Sequence, residues 1–320
     1  MGGEKETIES DTERSEDVNV VEACGLTKTF GGKTAVDHFD MHVDQGDIYG
    51  FVGRNGAGKT TVMRMLAGLA APTGGEAHVF GTSPREAGAS RRIGVLIEQP
   101  GLYGSMTAVD NLMMKALALG LVDPKAAVQD LLAFVGLEGA GSKKAKTFSM
   151  GMKQRLGLAL ALLGEPDLLL LDEPLNGLDP EGAREIRQLI VRLNEERGVT
   201  VVVSSHVLEQ LGKMATRYGV IREGRMVREL TAAEVDQECS DFLQLEAANP
   251  TLALAVLQER FGALNFQALP DGAIRIYGGA DAGEVGSALN EQGIAVSALF
   301  THRRDLEEFF VEMMGAEYRG

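Results

Sequence analysis

The 320-residue sequence predicts an α/β fold: a parallel-sheet core, interrupted by a helical insert and followed by a small α+β domain. Three observations carry this. Short apolar runs recur at Ile48–Val52, Ile93–Ile97, Leu168–Leu171 and Thr200–Val203, as in strands buried on both faces. Between the second and third runs, residues 101–164 show helical periodicity with caps and stops. After a hairpin turn at Glu223-Gly224, strand-sized and helix-sized segments follow in the order βαββαβ, the ferredoxin-like order.

Taken in order, residues 1–17 hold seven acidic and two basic side chains and too few apolar ones to offset ordering entropy, so they are expected to form a disordered acidic tail. Residues 18–230 form the main domain and 231–320 an accessory one. Ile48–Val52 feeds a glycine-rich loop and a helix with Val62, Met65, Leu66 and Leu69 on one face, ended near Pro72. In the insert, Thr107 with Asp110 nearly makes a capping box, and Asp123-Pro124 starts a helix that Gly136 can stop. Ser149 caps a third helix, whose Met152, Leu156, Ala159, Leu160 and Leu163 share a face until Gly164 and Pro166. A helix over Pro180–Arg197 separates the last two apolar runs. The accessory domain reads as strands at 242–245, 264–269, 274–277 and 294–299, helices at 250–260 and 280–292, and a closing helix near 303–314.

Composition narrows the function. The net charge of −15, from 31 basic and 46 acidic residues, excludes a bulk electrostatic grip on nucleic acid. Cys24 and Cys239 have neither metal-site spacing nor a disulfide framework. No apolar run reaches 18 residues, so any membrane role is expected to be peripheral.

Two motifs carry chemistry. Gly53-Arg54-Asn55-Gly56-Ala57-Gly58-Lys59-Thr60 fits G-x-x-x-x-G-K-[ST] between a strand and a helix. There, backbone N–H groups and the helix N-terminus, reaching into Thr61, cradle a polyphosphate; Lys59 reaches the β- and γ-phosphates and Thr60 ligates Mg²⁺. Farther on, four leucines end in Asp172-Glu173, placing two acids at the C-terminal end of a buried parallel strand, where such sheets bind ligands. Asp172 is expected to hold the metal shell and Glu173 to polarise the attacking water.

Phe148-Ser149-Met150-Gly151-Met152, followed by Lys153-Gln154-Arg155 and lying between these two motifs, resembles the signature loop of ABC transporter ATP-binding subunits, usually Leu-Ser-Gly-Gly-Gln. Ser149 and Gly151 match; Phe148, Met150 and Met152 depart. Asn176-Gly177-Leu178-Asp179 resembles the family's D-loop, His206 its switch histidine, and Phe30 the aromatic that stacks on adenine. Asp179 also reads as a helix N-cap before Pro180, and Phe30 as a buried aromatic. In Ile97-Glu98-Gln99-Pro100 the glutamine-loop position falls on Glu98, as in bacitracin-type exporter ATPases, with Gln99 as its rival.

The resemblance covers about residues 20–228. It implies a P-loop NTPase, RecA-like core with an antiparallel β subdomain, using ATP and Mg²⁺, with Glu98 joining Thr60 and Asp172 at the metal. It further implies a head-to-tail homodimer with the signature loop acting in trans, and a separate transmembrane permease that docks on the helical insert. The site is then the cytoplasmic face of the cell membrane. An exporter of antibiotics or peptides is the subtype reading; an importer ATPase or a non-transport ABC ATPase is the alternative. Residues 304–310 resemble the closing segment of exporter C-terminal extensions.

Overall fold

The computed structural model describes residues 19–239, 241–302 and 306–315; the acidic tail expected at 1–17 lies outside them. The chain begins with β1 (Asn19–Phe30) and β2 (Lys33–Asp44), an antiparallel pair joined at Gly31-Gly32, both glycines at positive φ. β3 (Ile48–Val52) leads to α1 (Lys59–Leu66), then β4 (Gly74–Val79), α2 (Ala87–Arg91) and β5 (Ile93–Leu96). The helical insert holds α3 (Ala108–Ala118), α4 (Pro124–Phe134) and α5 (Met150–Leu162). β6 (Leu168–Asp172), α6 (Pro180–Arg197), β7 (Thr200–Ser205), α7 (Leu208–Leu211), β8 (Arg217–Arg222) and β9 (Arg225–Thr231) complete the main body. Last come α8 (Ala232–Glu238), β10 (Phe242–Ala247), α9 (Pro250–Arg260), β11 (Asn265–Ala268), β12 (Ile274–Tyr277), α10 (Ala282–Glu291), β13 (Val296–His302) and α11 (Leu306–Met313).

Among the described residues these strands form three sheets. The main sheet runs β5-β6-β7-β3-β8-β9, parallel except for the β8–β9 hairpin. Its inner strands β6, β7 and β3 show no polar alternation because both faces are covered. Leu168, Leu170, Val202, Tyr49 and Phe51 pack under the β2-β1-β4 sheet and α1. Leu169, Leu171, Val201, Val203 and Val52 turn the other way, toward the insert helices and α6.

The insert owes its order to its caps. Thr107 and Asp110 make both bonds of a capping box, Asp123 accepts from Ala126 N–H with Pro124 following it, and Ser149 accepts from Met152 N–H. α5 lies close on β5: a Cβ at Gly157 would come within 2.7 Å of Pro100, and one at Gly94 within 2.4 Å of the Ala161 carbonyl.

The accessory sheet has the order β11-β12-β10-β13 with every neighbouring pair antiparallel, the ferredoxin-like arrangement read from the sequence. Its own core centres on Leu245, Leu257, Ile276, Val285 and Leu289. Two flanking helices do not join that core. Val235 of α8 and Phe309 and Phe310 of α11 are buried in the main body's cluster, where Phe310 lies 5.3 Å from Tyr218 between ring centres. The buried apolar side chains of these helices pack there, so among the described residues the chain leaves the main body after residue 239 and returns to it at 306.

Candidate functional site

The site is assembled at the C-terminal ends of β3, β6 and β7, which lie side by side in the main sheet. β3 ends in the glycine-rich loop. Gly56 and Gly58 adopt positive φ, and Gly53 is held where a Cβ would lie 2.8 Å from the Ile221 carbonyl. The loop is tied to the β8–β9 turn by Gly224 N–H donating to the Ala57 carbonyl at 2.9 Å. Arg54 and Asn55 stand exposed at its tip, and Thr61 follows Thr60 in the first turn of α1.

Lys59, 6% exposed, donates from Nζ to the Gly53 carbonyl at 2.6 Å and to that of Arg54 at 3.4 Å, and lies 3.3 Å from Glu173 Oε1. Thr60 Oγ1 donates to Asp172 Oδ2 at 2.7 Å. Glu173 stands at φ +49°, which breaks the strand's alternation and turns its carboxylate to the same side as Asp172. Glu173 Oε2 meets His206 Nδ1 at 2.8 Å; Oε1 is buried and, Lys59 being an ion-pair neighbour only, has no hydrogen-bond partner. The structure thus gathers Gly53–Thr60, Asp172, Glu173 and His206 in one place.

Ser149, Gly151, Asp179, Phe30 and Glu98 stand apart. Ser149 caps α5 with its side chain and, among the described residues, makes no hydrogen bond to the glycine-rich loop of its own chain. Ser149 and Met150 are exposed while Phe148 is buried, so the phenylalanine anchors the loop that presents the serine. The same surface carries Asn176, Gly177 and Asp179: a Cβ on Gly177 would meet Met150 Sδ at 2.9 Å, and the Leu178 side chain lies 3.9 Å from the Cβ position of Gly151. Asp179 sits at the N-cap position of α6 without a capping hydrogen bond. Phe30 is 53% exposed at the end of β1, with Lys28 Nζ 5.0 Å from its ring centre, so it is not a buried aromatic.

Glu98, at φ +64°, is exposed and paired with Arg64 of α1 at 2.7 Å, whereas Gln99 lines a groove against the insert. Among the described residues no hydrogen bond joins Glu98 to Thr60 or Asp172.

The ABC transporter family profile matches residues 36–176. The bacitracin transport ATP-binding protein BcrA of Bacillus licheniformis is 39% identical over 299 residues, covering 92% of this chain and 97% of that protein. The chain belongs to the ABC transporter ATP-binding proteins. As a member of that family it binds and hydrolyses ATP. The lantibiotic transport ATP-binding protein SrtF of Streptococcus pyogenes is 40% identical over 206 residues, 64% of this chain and 87% of that one. Among solved structures, the dimeric ADP- and phosphate-bound ATP-binding cassette MJ0796 superposes with a TM-score of 0.61 at 25% identity, over 66% of this chain and 98% of that one. CbiO1 from Clostridium perfringens, part of the cbiONQ transporter complex, shares the fold at 24% identity with a TM-score of 0.63, over 78% and 97% of the two chains. Cassettes of this family dimerise and work with separate membrane subunits.

Two residues of this ABC ATPase site escaped the sequence reading. Ser204 of β7 bonds both acids of the site, and Arg64 holds Glu98. The only sequence signal for Ser204 is a hydroxyl interrupting an apolar run two places before His206.

Proposed function

We propose that this chain powers an exporter of antibiotics or peptides as an ATP-clamped homodimer, seated on a separate permease at the cytoplasmic face of the membrane. The observation that carries the hydrolytic part is the convergence of Lys59, Thr60, Asp172, Glu173 and His206 around one point. Export is supported by relatives named for bacitracin and lantibiotic transport, the first aligned along 92% of this chain. Among the described residues no helix is long and apolar enough to cross a membrane, so a permease must supply the path.

The donor set suits Mg²⁺ shared with a substrate. Among the described residues no three acidic, histidine or cysteine side chains are placed to hold a metal ion by themselves, but one hydroxyl and one carboxylate meet, as expected when phosphates and water complete the shell. Bound there by Thr60 and Asp172, Mg²⁺ would neutralise charge on the β- and γ-phosphates. The backbone N–H groups of residues 53–61 and Lys59 hold the triphosphate, and Phe30 stacks on the adenine. Glu173, whose Oε1 accepts no hydrogen bond among the described residues, takes the proton of the attacking water as the water oxygen bonds to the γ-phosphorus and ADP departs. His206 holds Glu173 by Oε2 and contacts the γ-phosphate. Glu98 takes the glutamine-loop role, its carboxylate leaving Arg64 to do so.

The exposed group formed by Ser149, Gly151 and Asp179 faces the partner subunit's nucleotide, which explains why it stands away from the loop of its own chain. The permease docks on the groove between β5 and the insert, about 630 Å³ in volume and lined by Leu69, Gln99, Tyr103 and Met114. Leu69 and Tyr103 there are more than half exposed.

The experiment is Glu173→Gln, which keeps shape and removes the base. Turnover should fall roughly 100-fold or more while ATP binding persists. Retained turnover would mean another group activates the water.

A further inference from the structure

Ser204 is completely buried in β7, directly opposite Asp172 of β6 in the parallel register. A serine hydroxyl carries one proton and two lone pairs. Here its proton goes to Asp172 Oδ1 at 2.6 Å, and its oxygen accepts from the Glu173 backbone N–H at 2.9 Å. The other oxygen of Asp172 is held by Thr60, so two hydroxyls fix that carboxylate on both sides. Glu173 meanwhile holds a left-handed backbone that side-chain-bearing residues avoid. That conformation turns its carboxylate toward Lys59 and His206 instead of the far face of the sheet.

We propose that Ser204 is a positioning residue for ATP hydrolysis: its single hydroxyl sets the orientation of Asp172 and holds the left-handed turn at Glu173, so that both acids address one point. The proposal rests on the reading in which Asp172 holds the metal and Glu173 activates water. Removing the hydroxyl leaves the partly buried Glu173 N–H without its acceptor and frees one side of the Asp172 carboxylate. The phosphate loop and Lys59 make no contact with Ser204 among the hydrogen bonds of the described residues, so nucleotide binding that needs no metal should not change.

The test compares wild type, Ser204→Ala, Ser204→Thr and Glu173→Gln in the full chain. Turnover is measured against Mg²⁺ concentration, binding of a fluorescent ATP analogue is titrated in EDTA and in Mg²⁺, and thermal melting is recorded without nucleotide. Ser204→Ala should lower kcat roughly 10- to 100-fold, the range for a hydrogen bond to a charged group. It should also raise the half-saturating Mg²⁺ concentration several-fold and leave affinity in EDTA unchanged. Ser204→Thr, which keeps the hydroxyl, should recover the Mg²⁺ dependence. Wild-type turnover and Mg²⁺ dependence in Ser204→Ala would overturn the proposal. So would a parallel loss of EDTA affinity and melting temperature, the mark of a merely structural residue. If Glu173→Gln turns over normally, the underlying reading fails instead; if it is inactive while Ser204→Ala is normal, only the role of Ser204 fails.

Discussion

Lys59 and Glu173 lie 114 positions apart and meet at 3.3 Å because β3 and β6, which lead into the segments that hold them, end on the same side of the sheet. Their meeting was legible: each belongs to a short local pattern attached to a strand, and parallel sheets bring strand ends together. Ser204 was not legible, because a serine among valines reads as ordinary strand and its partners lie 31 and 32 residues away. Nor was the pairing of Glu98 with Arg64, which depends on how α1 lies against the loop after β5. That pairing sharpens the choice between Glu98 and Gln99. If Glu98 leaves Arg64 to serve the nucleotide, Glu98→Ala should reduce ATPase activity at least tenfold, as judged against typical catalytic contributions, and Gln99→Ala should have the smaller effect. Unchanged activity in Glu98→Ala with loss in Gln99→Ala would transfer the role to Gln99.

At the scale of elements, caps and apolar runs were the most readable features. Thr107, Asp123 and Ser149 all begin helices, and the four core strands lie where the runs fall: β3 matches its run, β5 stops one residue short, and β6 and β7 run one and two residues farther. The antiparallel β2-β1-β4 sheet left a weaker trace, since its long strands alternate irregularly and carry register shifts. The start of α5 has two duties, capping and presentation of Ser149, and they can be separated. Aspartate is as good an N-cap as serine, so Ser149→Asp should melt within a few degrees of the wild type. A carboxylate facing the γ-phosphate should nevertheless abolish ATP-driven dimerisation, read by sedimentation in the Glu173→Gln background. Normal dimerisation would remove Ser149 from the nucleotide interface.

For the whole molecule, the return of α11 ties the accessory domain back to the body near His206. Leu306 closes on Gly212, at the end of the helix that follows His206, and Phe310 is sealed against Tyr218. Burial of Tyr218 and the acidic side chain of Asp236 near it push that phenol up to about 12. The phenylalanine pair was visible in the sequence as a closing segment, but a docking partner 92 residues earlier was not. Phe310→Ala should destabilise the main body by roughly 3–5 kcal/mol, as truncations of buried aromatics do, measured by denaturant unfolding; a loss confined to the accessory domain would contradict the packing.

The dimer with nucleotide between two subunits is the central claim, and a crystal structure of the Glu173→Gln variant with ATP and Mg²⁺ tests it most directly. Two ATP molecules should lie at the seam, each held by Lys59 and Thr60 of one subunit, with Ser149 Oγ and the Gly151 N–H of the other within hydrogen-bond distance of its γ-phosphate. ATP contacted by a single chain, with Ser149 turned to solvent or to its own helix in the closed assembly, would contradict it.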